Sequence, residues 1–364
     1  MNTQAEIKKV LSDLVSIKTI TGNKSAILES FLYIKNYLKD TPVYIKEYTN
    51  SAYPFMYVST KKNKSPDILL AAHMDVVSGG DNLFTLRQKK GTYIGRGVFD
   101  MKFAIAIYLV IFRNLFQKVK DKNIAFLVTS DEEIGGINGT KKFLDFGFKP
   151  KAAFLPDGGT DWDWEEKGKG VWQFNVKVRG VSAHGSRVWL GKNAIQILNN
   201  FSQEVDLLFQ SYKKSDKKRW YSTCNLGKMS GGTTINSVPD YAEASFDVRF
   251  ISTKEGLELK KKVQKISKAY SCLTIEDLIF EPASSFTISS SHKLFIGITK
   301  KYNIKSAPCI SHGASDARFF SQKKIDCIVT RPKGGDIHSD NEWIDIKDLT
   351  RFFEVVNEFV TSSN

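Results

Sequence analysis

Cysteine is scarce in this chain: 4 of its 364 residues are cysteines, and no two of them are spaced as CxxC. This scarcity argues against a disulfide framework and against a zinc site made of thiolates. Long apolar stretches are missing too. The closest candidate, residues 103–116, is interrupted by Arg113 and Asn114, whereas a membrane helix needs about 20 apolar residues. The N-terminus has no basic segment followed by an apolar stretch, so we expect no secretory signal and a cytoplasmic location.

Acidic residues are outnumbered by basic ones. The chain has 53 Lys and Arg against 39 Asp and Glu, which gives a formal net charge of +14. Such an excess is compatible with binding to nucleic acid or to a membrane surface. The lysines are dispersed, however, and the densest clusters, at 61–64, 213–219 and 260–262, are short. We therefore expect no nucleic acid and no membrane partner, and attraction of small anionic substrates explains the charge better.

The apolar pattern predicts two kinds of sheet in one chain. Some apolar runs lack alternation, as central strands of a covered sheet do, and helical segments lie between several of them. These runs are 68–72, 124–128, 152–155 and 325–329. From about Val171 the pattern changes, because apolar and polar residues alternate over 171–179 and 241–250. Alternation indicates an antiparallel sheet with one wet face, and helical patterns at 193–208 and 254–269 are suited to cover its dry face.

The length of the chain favours two domains, because 364 residues exceed the size at which a single core keeps growing. We predict an α/β domain with a mixed sheet sandwiched by helices, interrupted by an inserted two-layer α+β domain. The predicted boundaries are 1–172 for the first part of the α/β domain, 173–283 for the insertion and 284–364 for the second part.

One apolar run ends in residues that can carry chemistry, His73 and Asp75. Side chains two residues apart on a strand point the same way, so these two share a face. The carboxylate of Asp75 can then accept the Nδ1–H of His73 and leave Nε2 free for a metal ion. A core histidine satisfied by a nearby acid is the alternative that this stretch alone leaves open. His292, in contrast, is expected on a helix surface with no special role.

More candidate ligands follow the ends of the other strands or precede a helix. They are Asp100, Glu132, Glu133, Asp157 and His338. Each has a simpler explanation: Asp100 suits a helix N-cap, and the adjacent glutamates suit a solvated loop. Open α/β sheets, however, place their sites at the carboxyl edge of the strands. Nitrogen and oxygen ligands that converge there suit zinc, cobalt or manganese, and a shared carboxylate holds two metal ions about 3.5–4 Å apart.

Seven motifs in a fixed order resemble the M20 metallopeptidases, a family with desuccinylase, acetylornithine deacetylase and PepT-like dipeptidase branches. They are HMD, GRGVFDMK, SDEEIGG, PDGG, GVSAHGS, GGTTINSVPD and GGDIHSDNE, and they span the chain from His73 to Glu342. The resemblance implies a zinc-exopeptidase-like fold with two divalent metal ions, most often zinc, with cobalt or manganese as alternatives. It also implies that the inserted domain serves as a lid or dimerisation domain.

The resemblance assigns a role to each ligand candidate. His73 and Asp157 would hold one metal ion, Glu133 and His338 the other, and Asp100 would bridge them. Asp75 would orient His73. Glu132 would be the general base, which takes a proton from a metal-bridging water and returns it to the leaving amine.

Further residues would contact the substrate. By resemblance, His184 donates a hydrogen bond to the tetrahedral oxyanion across the interface of a homodimer, and Asn236 assists in the same pocket. Arg249 could clamp a substrate carboxylate, and an ion pair with Asp247 or Glu243 is the competing interpretation. A glycine-containing substrate loop is expected at Ser311, His312 and Gly313.

The resemblance implies a dinuclear hydrolase that cleaves the amide bond of small peptides or N-acyl amino acids. Asp157 stands where the aminopeptidase and dipeptidase branch has aspartate, so the sequence leans towards an exopeptidase or dipeptidase. The loop after Ser311 and the compact length resemble the desuccinylase and deacetylase branch, so an N-acyl amino acid deacylase is the alternative. A non-enzymatic metal- or peptide-binding protein is a remote third interpretation, because such a protein would be expected to have lost Glu132 or a ligand.

Overall fold

A computed structural model describes residues 2–114, 116–210 and 219–362. Most of the lysine cluster at 213–219 lies outside these residues. The chain divides into two compact units. The first comprises Met1–Lys167, Ser285–Ser311 and Ser315–Asn364, and the second comprises Gly168–Ser284 and His312–Ala314. The domain limits predicted at 172/173 and 283/284 stay a prediction.

The first unit is built on a mixed six-stranded sheet. In spatial order its strands are Tyr44–Tyr48, Phe55–Ser59, Ile124–Thr129, Ile68–His73, Ala152–Leu155 and Asp326–Val329. The last four of these run parallel to one another, and the first two are antiparallel to their neighbours. Every residue of Ile68–His73 and Ile124–Thr129 is buried. Burial on both faces explains why these strands read as continuous apolar runs.

Helices and short strands complete the first unit. The helices are Thr3–Ser16, Lys24–Tyr37, Lys102–Asn114, Phe116–Val119, Lys142–Asp145, Ser290–Lys301, Ala317–Gln322 and Ile346–Ser362. The short strands are Arg87–Lys89, Thr92–Ile94, Gly334–Gly335 and Trp343–Asp345, which form a separate antiparallel sheet. Three more, Trp164–Gly168, Ser284–Ser285 and Pro308–Ser311, lie where the chain passes from one unit to the other.

The helix Lys102–Asn114 is the apolar segment that the sequence singled out as the closest candidate for a membrane span. All of its side chains from Lys102 to Phe112 are buried. A helix that is apolar all round belongs in the interior of a large core, which is its place here. Within the part of the chain that the structure describes, no helix combines the length and the apolarity needed to cross a bilayer.

The second unit is a two-layer α+β structure. Its antiparallel sheet has the order Thr223–Gly231, Tyr241–Phe250, Gly170–Arg179 and Leu273–Glu281, and its helices are Ala194–Gln210 and Thr253–Ser267. One face of the sheet is dry: alternate residues such as Trp172, Phe174 and Phe246 pack with Phe201 and Leu259 of the helices. The alternation in the sequence therefore corresponds to one dry and one wet face. The predicted fold class, a mixed α/β sheet with an inserted two-layer α+β domain, is confirmed.

Candidate metal centre

The carboxyl edge of the six-stranded sheet presents most of the predicted ligands. Ile68–His73 ends on His73, which pairs with Thr129 at the end of the neighbouring strand. Glu132 and Glu133 follow Thr129 in a single helical turn, and Asp157 comes two residues after Ala152–Leu155. Because these strands are parallel, their ends meet at one edge.

The ligand atoms form two groups, in each of which all atoms lie within 4.8 Å of one another. The first group is His73, Glu132 and Asp157, and the second is Asp100, Glu133 and His338. Glu132, predicted as the general base, thus belongs to the group that contains His73 and Asp157.

Asp100 connects the two groups. Its Oδ1 lies 3.2 Å from Nε2 of His73, and its Oδ2 lies 3.2 Å from Nε2 of His338. Nε2 of His338 is also 3.0 Å from Oε2 of Glu133. One carboxylate therefore faces both histidines, which is the arrangement that a shared ligand of two metal ions requires.

The protein groups fit divalent cations. Nδ1 of His73 lies 2.9 Å from the backbone carbonyl oxygen of Asp75. Because a carbonyl only accepts, Nδ1 carries a hydrogen, and Nε2, which faces the carboxylate of Asp100, is the ring nitrogen that would bind a metal ion. Oδ2 of Asp157 is buried and has no hydrogen-bond partner among the described residues. A buried carboxylate oxygen without a donor is costly unless a cation neutralises it, and imidazole with carboxylate is a ligand set for zinc, cobalt or manganese.

The acids of the centre disfavour one another's ionised forms. Burial raises the pKa of Glu132 well above its ordinary value, and the charge of Asp157 raises it further. Burial also raises the pKa of Asp157 to about 8, with Asp100 as the strongest neighbouring charge. Cations bound between these carboxylates would favour their ionised forms.

The histidines have the opposite shift. Burial acts to lower the pKa of His73, but the neighbouring carboxylates of Asp100, Asp75 and Glu132 outweigh it and raise the pKa well above the ordinary value. Hydrogen bonds with Asp100 and Glu133 raise the pKa of His338 to about 10. Burial acts to raise the pKa of Asp100, yet its hydrogen bonds with His338 and His73 hold it below the usual range. The centre is thus a site of strong, mutually opposed charges, as functional sites often are.

Asp75 does more than the sequence predicted. The sequence predicted that its carboxylate would accept the Nδ1–H of His73, but its Oδ1 is 3.6 Å from that nitrogen and the carbonyl oxygen of Asp75 is closer. The buried carboxylate accepts the backbone N–H groups of Glu132 and Glu133, both at 3.3 Å, and the hydroxyl of Thr21 at 3.0 Å. The carboxylate of Asp75 therefore fixes the turn that carries the two glutamates, and its carbonyl oxygen fixes the ring of His73.

Glu342 has a role that the sequence did not predict. Its side chain is 1% exposed. Oε1 accepts the backbone N–H groups of Phe99 at 2.9 Å and Asp100 at 3.0 Å. Oε2 accepts that of Gly97 at 3.0 Å and Nη1 of Arg96 at 3.3 Å. This carboxylate fixes the loop that delivers Asp100, and its place at the end of the distal motif GGDIHSDNE was the available signal.

Lys102, two residues after Asp100, has a buried side chain that contacts the end of the first helix. Its Nζ donates to the carbonyl oxygens of Leu14 at 3.0 Å and Ile17 at 2.8 Å. Burial lowers its pKa to about 7. His292 differs from its prediction as a surface residue: it is 0% exposed, its Nδ1 lies 3.2 Å from Oδ1 of Asp326, and the charged partner allows its burial.

The second unit brings two of the predicted substrate residues together. Ala183–His184 pairs antiparallel with Ser237–Val238, and Gly185 N–H donates to the carbonyl oxygen of Asn236 at 2.7 Å. His184 is exposed, and its Nδ1 lies 2.8 Å from Oγ of Ser186. Nδ1 also accepts the backbone N–H of Ser186 at 3.2 Å, so this one residue holds the ring, and among the described residues Nε2 has no hydrogen-bond partner.

The remaining predicted substrate residues differ in their contacts and in the unit to which they belong. Arg249 forms a two-point ion pair with Asp247, Nε to Oδ1 at 2.6 Å and Nη2 to Oδ2 at 2.9 Å, which is the competing interpretation of this residue. His312 belongs to the second unit, where its ring centroid lies 6.0 Å from that of Trp220. Gly313 belongs to the second unit and Ser311 to the first. The roles of all four in substrate binding stay predictions.

An α/β sheet that gathers imidazole and carboxylate groups at its carboxyl edge is suited to a metal-dependent hydrolase. The chain belongs to the Peptidase family M20/M25/M40, which it matches over residues 69–362. It is 27% identical over 380 residues to a succinyl-diaminopimelate desuccinylase of Rickettsia rickettsii (strain Sheila Smith), with 96% of this chain and 98% of that protein covered. Family membership confirms the predicted resemblance and the prediction that the chain is a hydrolase.

Solved structures show the same fold. Aminopeptidase PepT from Bacillus cereus superposes with a TM-score of 0.80 at 20% identity, and 98% of each chain is covered. The dinuclear metal binding peptidase YXEP of Bacillus subtilis superposes with a TM-score of 0.72 at 15% identity, covering 99% of this chain and 98% of that one.

Proposed function

We propose that this M20 hydrolase uses two divalent metal ions, zinc in the first place, to cleave an amide bond in small peptides or N-acyl amino acids. The observation that carries the proposal is the position of Asp100, whose two carboxylate oxygens each lie 3.2 Å from Nε2 of a different histidine. A carboxylate so placed suits a bridging ligand, and cobalt or manganese would fit the same ligand set.

The ligands divide between the two ions in this proposal. His73 and Asp157 hold one, Glu133 and His338 hold the other, and Asp100 is shared. When bound, the ions would polarise the scissile carbonyl and lower the pKa of the attacking water. The unpartnered buried oxygen of Asp157 supports its assignment as a ligand.

Glu132 is the general base in this proposal. It accepts a proton from the water that attacks the carbonyl carbon, and it gives that proton to the nitrogen as the C–N bond breaks, so the products are a carboxylic acid and an amine. Its Oε2 lies 4.0 Å from Nε2 of His73, farther than Oδ1 of Asp100 at 3.2 Å, which suits a residue beside the ligands. Asp75 accepts the backbone N–H of Glu132 at 3.3 Å and so helps to fix its position.

His184 and Asn236 supply hydrogen bonds to the oxyanion, and the enzyme is a homodimer. Support comes from Thr223–Gly231, an outer strand of the second sheet that is mostly exposed and carries the exposed apolar residues Leu226 and Met229. A long exposed edge strand is a surface on which a second copy can add its own strand. Sedimentation tests this: a monomer with full activity would contradict it.

Two substrate classes remain within the proposal. Asp157 supports an exopeptidase or dipeptidase, as does the fold shared with an aminopeptidase PepT. The alternative, an N-acyl amino acid deacylase, is supported by the similarity to a succinyl-diaminopimelate desuccinylase over 96% of the chain. Location in the cytoplasm stays a prediction.

The test of the mechanism is Glu132→Gln in the zinc-loaded protein. We expect kcat to fall by about 10²–10⁴-fold, the usual contribution of general acid–base catalysis, while metal analysis still finds two ions per chain. Dipeptides, tripeptides and N-acetyl and N-succinyl amino acids serve as the substrate panel, with zinc, cobalt and manganese compared. A Glu132→Gln variant as active as the parent would refute the assignment, and a parent inactive on the whole panel would refute the function.

A further inference from the structure

The carboxylate of Glu132 is not held by hydrogen bonds of its own. Among the described residues no hydrogen bond engages it, and its Oε2 lies 4.0 Å from Nε2 of His73. Glu133 differs, because its Oε2 lies 3.0 Å from Nε2 of His338. In the proposed mechanism a metal ion would hold Glu133 as well, whereas Glu132 would bind none. The position of the Glu132 carboxylate therefore depends on the backbone that carries it.

That backbone belongs to residues 131–140, which we call the glutamate loop. The carbonyl oxygen of Asp131 accepts the N–H groups of Ile134 at 3.3 Å and Gly136 at 2.7 Å. Oδ2 of Asp131 accepts the N–H of Asn138 at 2.6 Å. Gly136 has a φ of 62°, a conformation that glycine adopts without strain. These bonds make the glutamate loop a compact piece that is positioned as a whole.

Arg318 contacts the glutamate loop just after the two glutamates. Its Nη2 donates to the carbonyl oxygen of Gly135 at 2.7 Å, and its Nη1 donates to that of Ser315 at 2.6 Å. The residue is 4% exposed, and its Cζ lies 4.4 Å from the centroid of the Phe319 ring. A planar guanidinium with donors engaged on two sides has little freedom to move. Arg318 therefore ties the glutamate loop to the helix Ala317–Gln322.

Asp316 contacts the glutamate loop at two further points. Its Oδ2 accepts the hydroxyl of Thr140 at 2.5 Å, the one hydrogen bond to this carboxylate among the described residues. Its Oδ1 faces the backbone of Gly136, where an added Cβ atom would lie 1.9 Å away. Asp316 is 2% exposed, and burial raises its pKa against the charge of Arg318 and the hydrogen bond with Thr140. A buried carboxylate that loses its donor is costly, so the contact with Thr140 holds firmly.

We propose that Asp316 and Arg318 are positioning residues of the amide hydrolysis, which hold the glutamate loop so that Glu132 faces the attacking water. This inference rests on the proposed function, in which Glu132 is the general base. A displacement of about 1 Å near a reacting group can cost about 10²-fold in rate. Because His338 and a metal ion would keep Glu133 in place, loss of these contacts affects proton transfer more than metal binding.

The experiment removes one hydroxyl group from the zinc-loaded full chain. Thr140→Val keeps the shape of the side chain but takes the donor away from Asp316, whereas Thr140→Ser keeps a donor. On the panel amide that the parent cleaves fastest, we expect Thr140→Val to lower kcat by about 10–100-fold, with KM within about twofold and two ions per chain. Thr140→Ser should recover most of the loss. Thr299→Val is the control and should leave kcat unchanged, because this buried hydroxyl donates to the carbonyl oxygen of Ile296 within a helix away from the loop.

Two further measurements examine the loop and its second contact. Hydrogen–deuterium exchange of the glutamate loop should be faster in Thr140→Val than in the parent, and Thr299→Val should match the parent. Arg318→Lys keeps the charge but lacks the planar fork that reaches Gly135 and Ser315 together. It should lower kcat with KM and metal content kept, whereas Arg351→Lys, at an exposed arginine, should change nothing.

The outcomes separate this inference from the function on which it rests. A Thr140→Val enzyme with the parent kcat or with unchanged exchange of the loop would overturn the inference, and so would a Thr140→Ser enzyme as slow as Thr140→Val. A loss of zinc whose reversal at higher zinc concentration restores kcat would overturn it too, because the contacts would then support Glu133 rather than Glu132. If Thr140→Val does not fold, Arg318→Lys decides by the same criteria. A zinc-loaded parent that cleaves no panel amide would instead overturn the proposed function.

Discussion

The two units hold their candidate catalytic residues in different ways. In the first unit, His73 and Asp100 are buried and each contacts other charged groups of the centre. In the second unit, His184 is exposed and has a single side-chain partner two residues away, Ser186. The difference indicates that contacts within the first unit already position the candidate metal ligands, whereas the ring of His184 is fixed by few contacts.

The sharpest test of this contrast is Asp100→Asn. An amide in place of the bridging carboxylate removes a negative charge that both ions need, so we expect metal content to fall below two ions per chain and activity to fall by more than about 10³-fold. Metal analysis and kcat on the same preparation measure both. Asp121→Asn, at an exposed acid, is the control. An Asp100→Asn enzyme that keeps two ions and a near-normal kcat would show that the buried centre does not depend on Asp100.

His184→Ala should affect catalysis without affecting the metal centre. Loss of one oxyanion donor costs about 10²–10³-fold in kcat, while metal content and thermal stability stay at parent values because the side chain is exposed. His184→Gln, which keeps a donor, should recover part of the rate. If His184→Ala lost metal ions along with activity, His184 would also support the metal centre, and the contrast drawn between the two units would be wrong.

Glu342→Gln should show how far the buried loop positions Asp100. The amide keeps the shape but offers a single acceptor oxygen to donors that now share two. We expect metal affinity or kcat to fall by about 10–100-fold, as for other residues that orient ligands. Glu354→Gln, an exposed glutamate on Ile346–Ser362, should change neither. The same result in both variants would show that Glu342 does not position Asp100.

The smallest expected effect concerns stability and pH. Lys102 has a pKa of about 7 in the folded chain, below the roughly 10.4 of an unfolded lysine. Between these values the unfolded state binds more protons, so the contribution of Lys102 to stability rises with pH across this window. Denaturant unfolding at pH 7 and pH 9 should show a larger gain for the parent than for Lys102→Met, which cannot titrate. An equal gain would contradict the lowered pKa.

The fold was largely readable from the sequence, and so was the meeting of the candidate ligands at one edge of the sheet. Burial on both faces leaves continuous apolar runs, so the strands that end at His73 and before Glu132 could be recognised locally. The ends of parallel strands share an edge, which predicted that those residues would meet. The inserted sheet was recognised for the opposite reason: one wet face imposes alternation on Gly170–Arg179.

Hydrogen-bond partners that are distant in the chain could not be predicted from such local patterns. Glu342 accepts a hydrogen bond from Gly97, 245 residues earlier, and no local periodicity records such a contact. For the same reason the burial of His292 against Asp326 escaped prediction.

The sequence by itself determined the order of strands and helices and the residue types that stand at their ends, because burial and chain direction act on neighbouring residues. Only the tertiary structure decided which donors the carboxylates of Asp75 and Glu342 accept. Those choices depend on which segments the fold packs together, and the side chains compete for partners only after that packing has formed.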